Sequence, residues 1–308
     1  MASIINFGLH KARRDNTGAA SLMEGFSIEV MPRTAAKIER FDTLLPAGTR
    51  VYIALLDGRP IDDMVGTARR LAAEGFEVMP HFPARIIANA AELRSWVTRY
   101  REEAGVQGAL VLGGGVAKPK GAFHCAMQLL ETGIFEEQGY ARIHVTGHPE
   151  GNRDIDSDGG ETLVMKALEE KQAWRDETGA DMAIVTQFCF EAGPVADWTR
   201  RLAEAGITLP VHLGIAGPAK LQTLIKFAMA CGVGPSLRVL QRRAADVTKL
   251  MTPFTPDGLL ADLAERRALD ATCPVSRIHL FPLGGISASA TWARALSETS
   301  TSVAALRR

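Results

Sequence analysis

The chain has 308 residues, of which 46% are hydrophobic and 23% charged, values typical of a globular protein with a large core. Its 35 Lys and Arg residues balance 35 Asp and Glu residues, so no broad field favours nucleic acid or a membrane surface. No run of eighteen apolar residues predicts a membrane span, and no signal-peptide pattern is present. Four isolated cysteines without a C-x-x-C pair favour a reducing compartment, so we expect a cytoplasmic protein.

Short β-rich runs alternate with longer amphipathic segments along the chain. Runs of about six residues that are rich in Val, Ile, Leu or Phe predict eight strands. They cover residues 25–32, 49–55, 77–82, 108–113, 142–148, 182–188, 209–215 and 277–283. Helical periodicity predicts helices over 62–74, 91–103, 161–178, 195–205 and 220–231, and extra helices over 236–251 and 256–269.

Strands that alternate with helices pair in parallel through right-handed crossovers. Eight such units predict an α/β fold, a single (β/α)8 TIM barrel with extra helices between strands 7 and 8; an open doubly wound sheet is the alternative. Without a linker or an internal repeat, residues 1–308 are predicted to form one domain. Residues 1–24 are predicted to be an N-terminal arm or an extra helix.

Polar residues follow or end several predicted strands, where a barrel carries its chemistry. In the first strand Phe26, Ile28 and Val30 share one face, and Glu29 lies on the other. If the apolar face meets the helices, Glu29 points into the barrel, where an acid is costly unless it is paired or functional. A salt bridge to a neighbouring Arg or Lys is the alternative to a functional acid.

Histidines also lie on predicted strands. His144 and His148 share a face of the fifth strand, and His212 and His279 lie in the seventh and eighth. Inward histidines suggest a metal-dependent hydrolase, but paired ligand spacing is missing and a lone strand histidine is usually a core residue. We therefore predict no catalytic metal.

A glycine run, Gly113-Gly114-Gly115, follows the fourth predicted strand. Glycines at such a turn let the backbone approach a phosphate or a flat ring, and a tight turn is the alternative interpretation. The G-x-G-x-x-G pattern of dinucleotide-binding folds is not met.

Several strand-end segments together resemble methylenetetrahydrofolate reductase. They occur in the family's order over roughly residues 25 to 285, and the most specific are Gly147-His148-Pro149-Glu150 and Thr186-Gln187-Phe188-Cys189-Phe190-Glu191. Further matches are Ser27-Ile28-Glu29-Val30-Met31-Pro32-Arg33-Thr34, Met79-Pro80-His81 and Val211-His212-Leu213-Gly214-Ile215. The resemblance implies a flavin-dependent barrel that reduces 5,10-methylenetetrahydrofolate to 5-methyltetrahydrofolate with NADH or NADPH.

The resemblance also implies roles for individual residues. Glu29 matches the family's proton donor. Substrate binding is expected at Gln187, Phe190 and Leu221. Contacts to FAD are expected at His81, Gly113, Gly114, Gly115, His144, His148 and Lys171.

The chain departs from the family pattern at three places. Leu112-Gly113-Gly114-Gly115 stands where the family has Leu-Arg-Gly-Asp, Gly285 stands at the family's substrate-binding arginine, and Leu221 at its phenylalanine. Hydride relayed by flavin and hydride passed directly from the nicotinamide both remain open. So do two other functions on the same barrel: a folate or pterin methyl-transfer enzyme, and a non-catalytic folate-binding relative. The oligomeric state also stays open, with a homo-oligomer as one alternative.

Overall fold

The computed structural model describes residues 18–244, 253–270 and 272–305. Eight parallel strands close into a barrel in sequence order, and β1 pairs with β8. The strands are β1 (Ser27–Val30), β2 (Arg50–Ile53), β3 (Glu77–Pro83), β4 (Gly108–Leu112), β5 (Arg142–Gly147), β6 (Asp181–Thr186), β7 (Val211–Ala216) and β8 (Val275–Phe281). The predicted (β/α)8 barrel is therefore confirmed.

Helices connect the strands and cover the outside of the barrel. They span Pro32–Ala35, Ile61–Ala73, Ala90–Ala104, Ala126–Leu130, Ile134–Glu137, Thr162–Thr178, Ala192–Glu204, Leu221–Ala230, Gly234–Ala244, Asp257–Leu269 and Ile286–Ala305. The predicted extra helices between β7 and β8 are present, although residues 245–251 of the first lie outside the described residues. Residues 18–23 are helical, and the rest of the predicted arm, residues 1–17, also lies outside.

The predicted strands are mostly longer than the observed ones, because their outer residues leave the hydrogen-bonded ladder. The first was predicted to cover residues 25–32. Gly25 instead adopts a positive φ of 62° before β1, and Pro32 begins a helix directly after it. Glycine tolerates this backbone conformation, and proline suits the first position of a helix.

Strand alternation divides the side chains between two environments. Phe26, Ile28 and Val30 belong to the large apolar core between the barrel and its helices. Ser27 and Glu29 point the other way and contact histidines of β3 and β8. The predicted inward orientation of Glu29 is confirmed, because successive side chains on a strand alternate sides.

The barrel interior is filled by a small apolar cluster of Tyr52, Met79, Leu110 and Val185, together with histidines. At the amino-terminal end of the strands, Arg50 pairs with Glu77 at 3.0 Å, and Arg142 pairs with Glu77 and with Asp181. These ion pairs occupy the bottom of the barrel. Ligand chemistry in this fold is found at the opposite end, around the carboxyl ends of the strands.

A second, smaller core lies beside that opposite end. Phe188 and Phe190 from the loop after β6 pack with Leu221 and Leu224 of the helix Leu221–Ala230 and with Phe254. The extra helices thus build one wall next to the carboxyl ends of β6 to β8. Within the described ranges, none of the helices is long and apolar enough to cross a membrane.

Candidate functional site

Glu29 occupies the penultimate position of β1, near the carboxyl end of the barrel. Its side chain is 21% exposed, and its Oε2 atom lies 3.4 Å from Nε2 of His81 and 3.8 Å from Nε2 of His279. His81 comes from β3 and His279 from β8, the neighbour of β1. The structure therefore brings one carboxylate and two imidazoles together from three strands.

His279 was not among the expected site residues. The sequence placed it in the eighth strand, but only barrel closure brings that strand beside β1, where Ser27 and His279 are register partners. Nδ1 of His279 lies 3.0 Å from the Ser27 hydroxyl. The alternation of β8 gives its inward face, and the distance to Glu29 depends on the tertiary structure.

Burial and charge oppose each other at Glu29. Burial raises the pKa of Glu29, but interactions with His279 and with the charge of His81 outweigh it and leave the pKa below its ordinary value. At 3.8 Å, Nε2 of His279 lies beyond direct hydrogen-bond distance of Oε2. Burial lowers the pKa of His81, and the charge of Glu29 offsets part of that effect.

His144 lies deeper in the barrel than expected for a ligand-binding residue. Its side chain is buried, its Nδ1 atom is 2.5 Å from the Tyr52 hydroxyl, and its ring packs edge-on against His212 at 4.9 Å. Burial lowers the pKa of His144 well below its ordinary value, with the charge of His212 as the next cause. In this structure His144 is therefore occupied by Tyr52 and His212, and its expected contact with a cofactor stays a prediction.

His148 and Lys171, both expected to contact a cofactor, lie near each other beyond β5. Lys171 is buried and its Nζ atom donates to the Thr146 carbonyl at 3.4 Å, and burial lowers the pKa of Lys171 to about 8. Burial and the charge of Lys171 lower the pKa of His148 to about 4. Nδ1 of His148 lies 3.5 Å from the Asn152 side-chain nitrogen. The Lys171 amine is therefore turned toward the barrel.

The glycine run forms an open turn above β4. Gly114 has a φ of +88°, and a Cβ atom at Gly113 or Gly115 would meet no heavy atom within 4 Å. Backbone can thus approach a ligand here, as the sequence predicted for a flat ring or a phosphate. Lys171, which the family resemblance placed in a cofactor-contacting segment, donates to the Thr146 carbonyl in this structure, and its contact with a cofactor stays a prediction.

The expected substrate-binding residues differ in accessibility. Gln187 is partly exposed, and its Oε1 atom accepts from the Phe188 amide at 3.1 Å, which fixes the direction of its side-chain amide. Phe190 packs edge-on against Phe254 at 5.3 Å, and Leu221 is 2% exposed within the second core. Gln187 can bind a ligand as it stands, whereas Phe190 and Leu221 support the wall behind it.

Two other acids follow predicted strands. Asp57 is exposed and pairs with Lys120 at 2.5 Å, and that contact lowers the pKa of Asp57, so this acid is engaged in a surface ion pair. Glu150 accepts from the backbone and hydroxyl of Ser236 at 3.0 and 2.5 Å. It thereby holds the first turn of the helix Gly234–Ala244, a role that sequence reasoning missed.

The described part of the chain also has surface pockets away from Glu29. A pocket of about 290 Å³ is lined by Glu77, Arg142 and Asp181 at the amino-terminal end of the barrel, remote from Glu29. In the part of the chain that the structure describes, no group of three or more His, Cys, Asp or Glu residues is arranged to hold a metal ion.

No protein-family model matches the chain. Among solved structures, it resembles an uncharacterized protein from Clostridium thermocellum that binds two copies of 5-methyl-5,6,7,8-tetrahydrofolic acid. The TM-score is 0.53 at 11% identity, over 89% of this chain and 96% of that one. It also matches the intracellular xylanase of Thermoanaerobacterium saccharolyticum with a TM-score of 0.38 and 11% identity, over 86% of this chain and 88% of that one. At such identities the first likeness shows the barrel fold and nothing finer.

Proposed function

We propose that this chain binds a reduced folate at the carboxyl end of its barrel and reduces 5,10-methylenetetrahydrofolate to 5-methyltetrahydrofolate with NADH or NADPH. The observation that carries the proposal is Glu29, an inward carboxyl group near the end of β1 that faces two imidazoles. The strand-end segments that resemble methylenetetrahydrofolate reductase support it. So does the folate ligand of the Clostridium thermocellum protein that shares the fold.

The chemistry needs a proton at a defined place. Protonation of N10 lets the bond between N10 and the bridging methylene break, with its electron pair left on nitrogen and an iminium formed at N5. A hydride then adds to the methylene carbon and gives the methyl group. Glu29 is the proposed source of the proton, since a positioned side-chain acid accelerates such steps.

Gln187 is the proposed anchor for the pterin ring. Its Oε1 atom already accepts from Phe188, so its side-chain NH2 group is available to donate and the oxygen retains a second lone pair. A fixed amide orients the ring, and orientation of the two reactants contributes much of the rate of a hydride transfer.

In the proposed reaction the hydride follows one of two routes, through a bound flavin or directly from the nicotinamide. A bound flavin would supply a relay between the nicotinamide and the folate. The open backbone at Gly113 and Gly115 leaves space for a flat ring, and Lys171 is bound to the Thr146 carbonyl at the end of β5. Direct transfer from the nicotinamide needs no bound flavin. The visible spectrum of the purified protein distinguishes them, because bound flavin absorbs blue light.

A second candidate function is folate binding without reduction. The specific observation that favours it is the glycine run, which lacks the acid and the arginine of the reductase family at Gly113 to Gly115. Such a protein would bind 5-methyltetrahydrofolate and leave NADH and NADPH unconsumed. A methyl-transfer enzyme would also leave the nicotinamide unconsumed, but would need a methyl acceptor.

The deciding experiment combines calorimetry and nicotinamide oxidation. The purified chain is titrated with 5-methyltetrahydrofolate, and NADH and NADPH are then each followed in the presence of 5,10-methylenetetrahydrofolate. Binding together with folate-dependent oxidation supports the reductase. Binding without oxidation supports the second candidate, and the absence of both would refute the folate proposal.

A further inference from the structure

Two buried imidazoles face one oxygen atom of Glu29. The Nε2 atoms of His81 and His279 are both enclosed, and within the described part of the chain neither has a hydrogen-bond partner. Both lie closest to the same acceptor, Oε2 of Glu29, at 3.4 and 3.8 Å. An enclosed polar nitrogen without a partner is costly, so its orientation toward a carboxylate indicates a function.

Ser27 fixes the orientation of one of these rings. Its hydroxyl lies 3.0 Å from Nδ1 of His279, and both residues are buried. A hydroxyl that donates to Nδ1 leaves the imidazole proton on Nε2, the atom that faces Glu29. Since Ser27 and Glu29 are two residues apart on β1, one strand face holds both the ring and its acceptor.

Other titratable groups also interact with the cluster. Tyr52 contacts the ring of His279 at 4.6 Å and that of His81 at 6.4 Å, but its hydroxyl binds His144. Burial and then the charge of Glu29 raise the pKa of Cys231, and burial followed by neighbouring charges that include His279 lowers the pKa of His212. His81 and His279 are therefore the groups placed to exchange a proton with Glu29.

We propose that Glu29, His81 and His279 hold one exchangeable proton between them, with His279 as a positioning residue and His81 as the group that restores the proton to Glu29. The use of that proton rests on the proposed function, whereas the coupling is a property of the cluster itself. When Glu29 gives its proton to the folate nitrogen it becomes a carboxylate. His81 then transfers its Nε2 proton to Oε2 while its other ring nitrogen takes up a proton from water, so that the ring is neutral before and after the step. His81 thus belongs to proton handling and not to the cofactor.

The test measures the coupling between Glu29 and the two histidines directly and does not require the protein to be active. The ring nitrogens of the seven histidines are followed by ¹⁵N NMR against pH in the wild type and in Glu29→Gln. His81→Gln and His279→Gln identify the signals. In Glu29→Gln the midpoint of His81 is expected to move to lower pH, because the carboxylate that stabilises its charged form is gone. His124, an exposed histidine outside the cluster, is the control and should not move.

Ser27→Ala provides a second, milder perturbation if Glu29→Gln does not fold. It should change the tautomer signal of His279 and leave the signal of His124 unchanged. Activity then gives an independent measurement: His279→Gln should lower kcat/KM for folate reduction by about tenfold to a hundredfold, less than removal of the acid itself. The decrease should come with a changed pH profile.

The outcomes separate the two proposals. If His81 titrates identically in the wild type and in Glu29→Gln, the three residues are not coupled and this inference is wrong. The same holds if the tautomer signal of His279 is unchanged in Ser27→Ala. If the rings are coupled but the wild type neither binds nor reduces folate, the cluster stands and the proposed function fails. A pH profile unchanged in His279→Gln, with folate reduction intact, would also overturn the positioning role.

Discussion

A buried hydroxyl stabilises a fold only when it has a hydrogen-bond partner. Two buried tyrosines of this chain differ in that respect. The Tyr52 hydroxyl is 2.5 Å from Nδ1 of His144, whereas the Tyr100 hydroxyl has no partner in the described part of the chain. Both side chains are fully enclosed. The Tyr52 side chain is therefore tied to the barrel interior by a hydrogen bond, whereas Tyr100 is held by packing, including its edge-on contact with Phe82 at 5.6 Å.

Removal of these two hydroxyls should have different effects. Tyr52→Phe leaves the His144 nitrogen unpaired and should reduce the free energy of unfolding by about 1–3 kcal/mol. Tyr100→Phe loses no hydrogen bond, so its free energy of unfolding should be unchanged or slightly higher. Urea unfolding of the two variants side by side measures the difference. Equal losses would show that ring packing, not the hydrogen bond, sets the stability here.

Glu29 gives the second prediction at the scale of one residue. Glu29→Gln keeps the shape of the side chain but cannot donate a proton in the same way, so folate reduction should fall by about a hundred- to ten-thousand-fold. Calorimetry should still detect binding of 5-methyltetrahydrofolate. Glu24→Gln, at an exposed position before β1, is the matched control. A near-normal rate in Glu29→Gln would assign Glu29 to structure alone.

At the scale of elements, one acid attaches the helix Gly234–Ala244 to the carboxyl end of the barrel. Glu150 follows β5 and binds the backbone and hydroxyl of Ser236 in the first turn of the helix Gly234–Ala244. Arg242 of the same helix contacts Glu191 at 3.1 Å, but both side chains are largely exposed. Exposed ion pairs contribute little, so the Glu150 contact is the more important attachment.

Loss of that contact should loosen the helix without unfolding the barrel. Glu150→Ala removes two hydrogen bonds to a charged acceptor, each typically contributing about 1.5–3 kcal/mol. Hydrogen exchange of the amides in residues 236–244 should therefore become faster, while the amides of β1 to β5 keep their rates. Glu191→Ala is the control and should change the same amides much less. Uniform acceleration across the barrel would contradict a local role.

At the scale of the whole molecule, buried neutral histidines make the fold sensitive to acid. Burial lowers the pKa of His212 to about 3 and that of His144 well below its ordinary value, with neighbouring charges, including the arginines at the bottom of the barrel, adding to the effect. In the unfolded chain both titrate near about 6.5. Below that pH the unfolded state binds more protons than the folded state, so stability falls as pH decreases toward the folded pKa values.

The size of this effect can be measured. Each buried histidine should remove about 1.4 kcal/mol of unfolding free energy per pH unit below about 6.5. Urea unfolding between pH 7 and pH 5 should show a shallower dependence in His212→Gln than in the wild type. His124→Gln, which alters an exposed ring, should retain the wild-type dependence. Identical slopes in all three proteins would mean that His212 is already protonated in the fold.

The sequence by itself determined the local features of this protein. Alternation of apolar and polar residues in β1 gave the inward direction of Glu29, and the succession of eight strand and helix patterns gave the barrel. Both follow from periodicity, which depends on residues only a few positions apart. The strand ends were less well determined, because they depend on where neighbouring strands stop pairing.

The tertiary structure alone decided which of those residues meet. Ser27 and His279 are 252 positions apart, and they become neighbours only when β8 pairs with β1. Tyr52 of β2 and His144 of β5 meet across the interior because the sheet closes into a barrel. Lys171 donates to the Thr146 carbonyl, and its segment resembles a cofactor-binding one. Such contacts arise from closure of the barrel by backbone hydrogen bonds and from burial in its interior, and neither leaves a periodic signal in the chain.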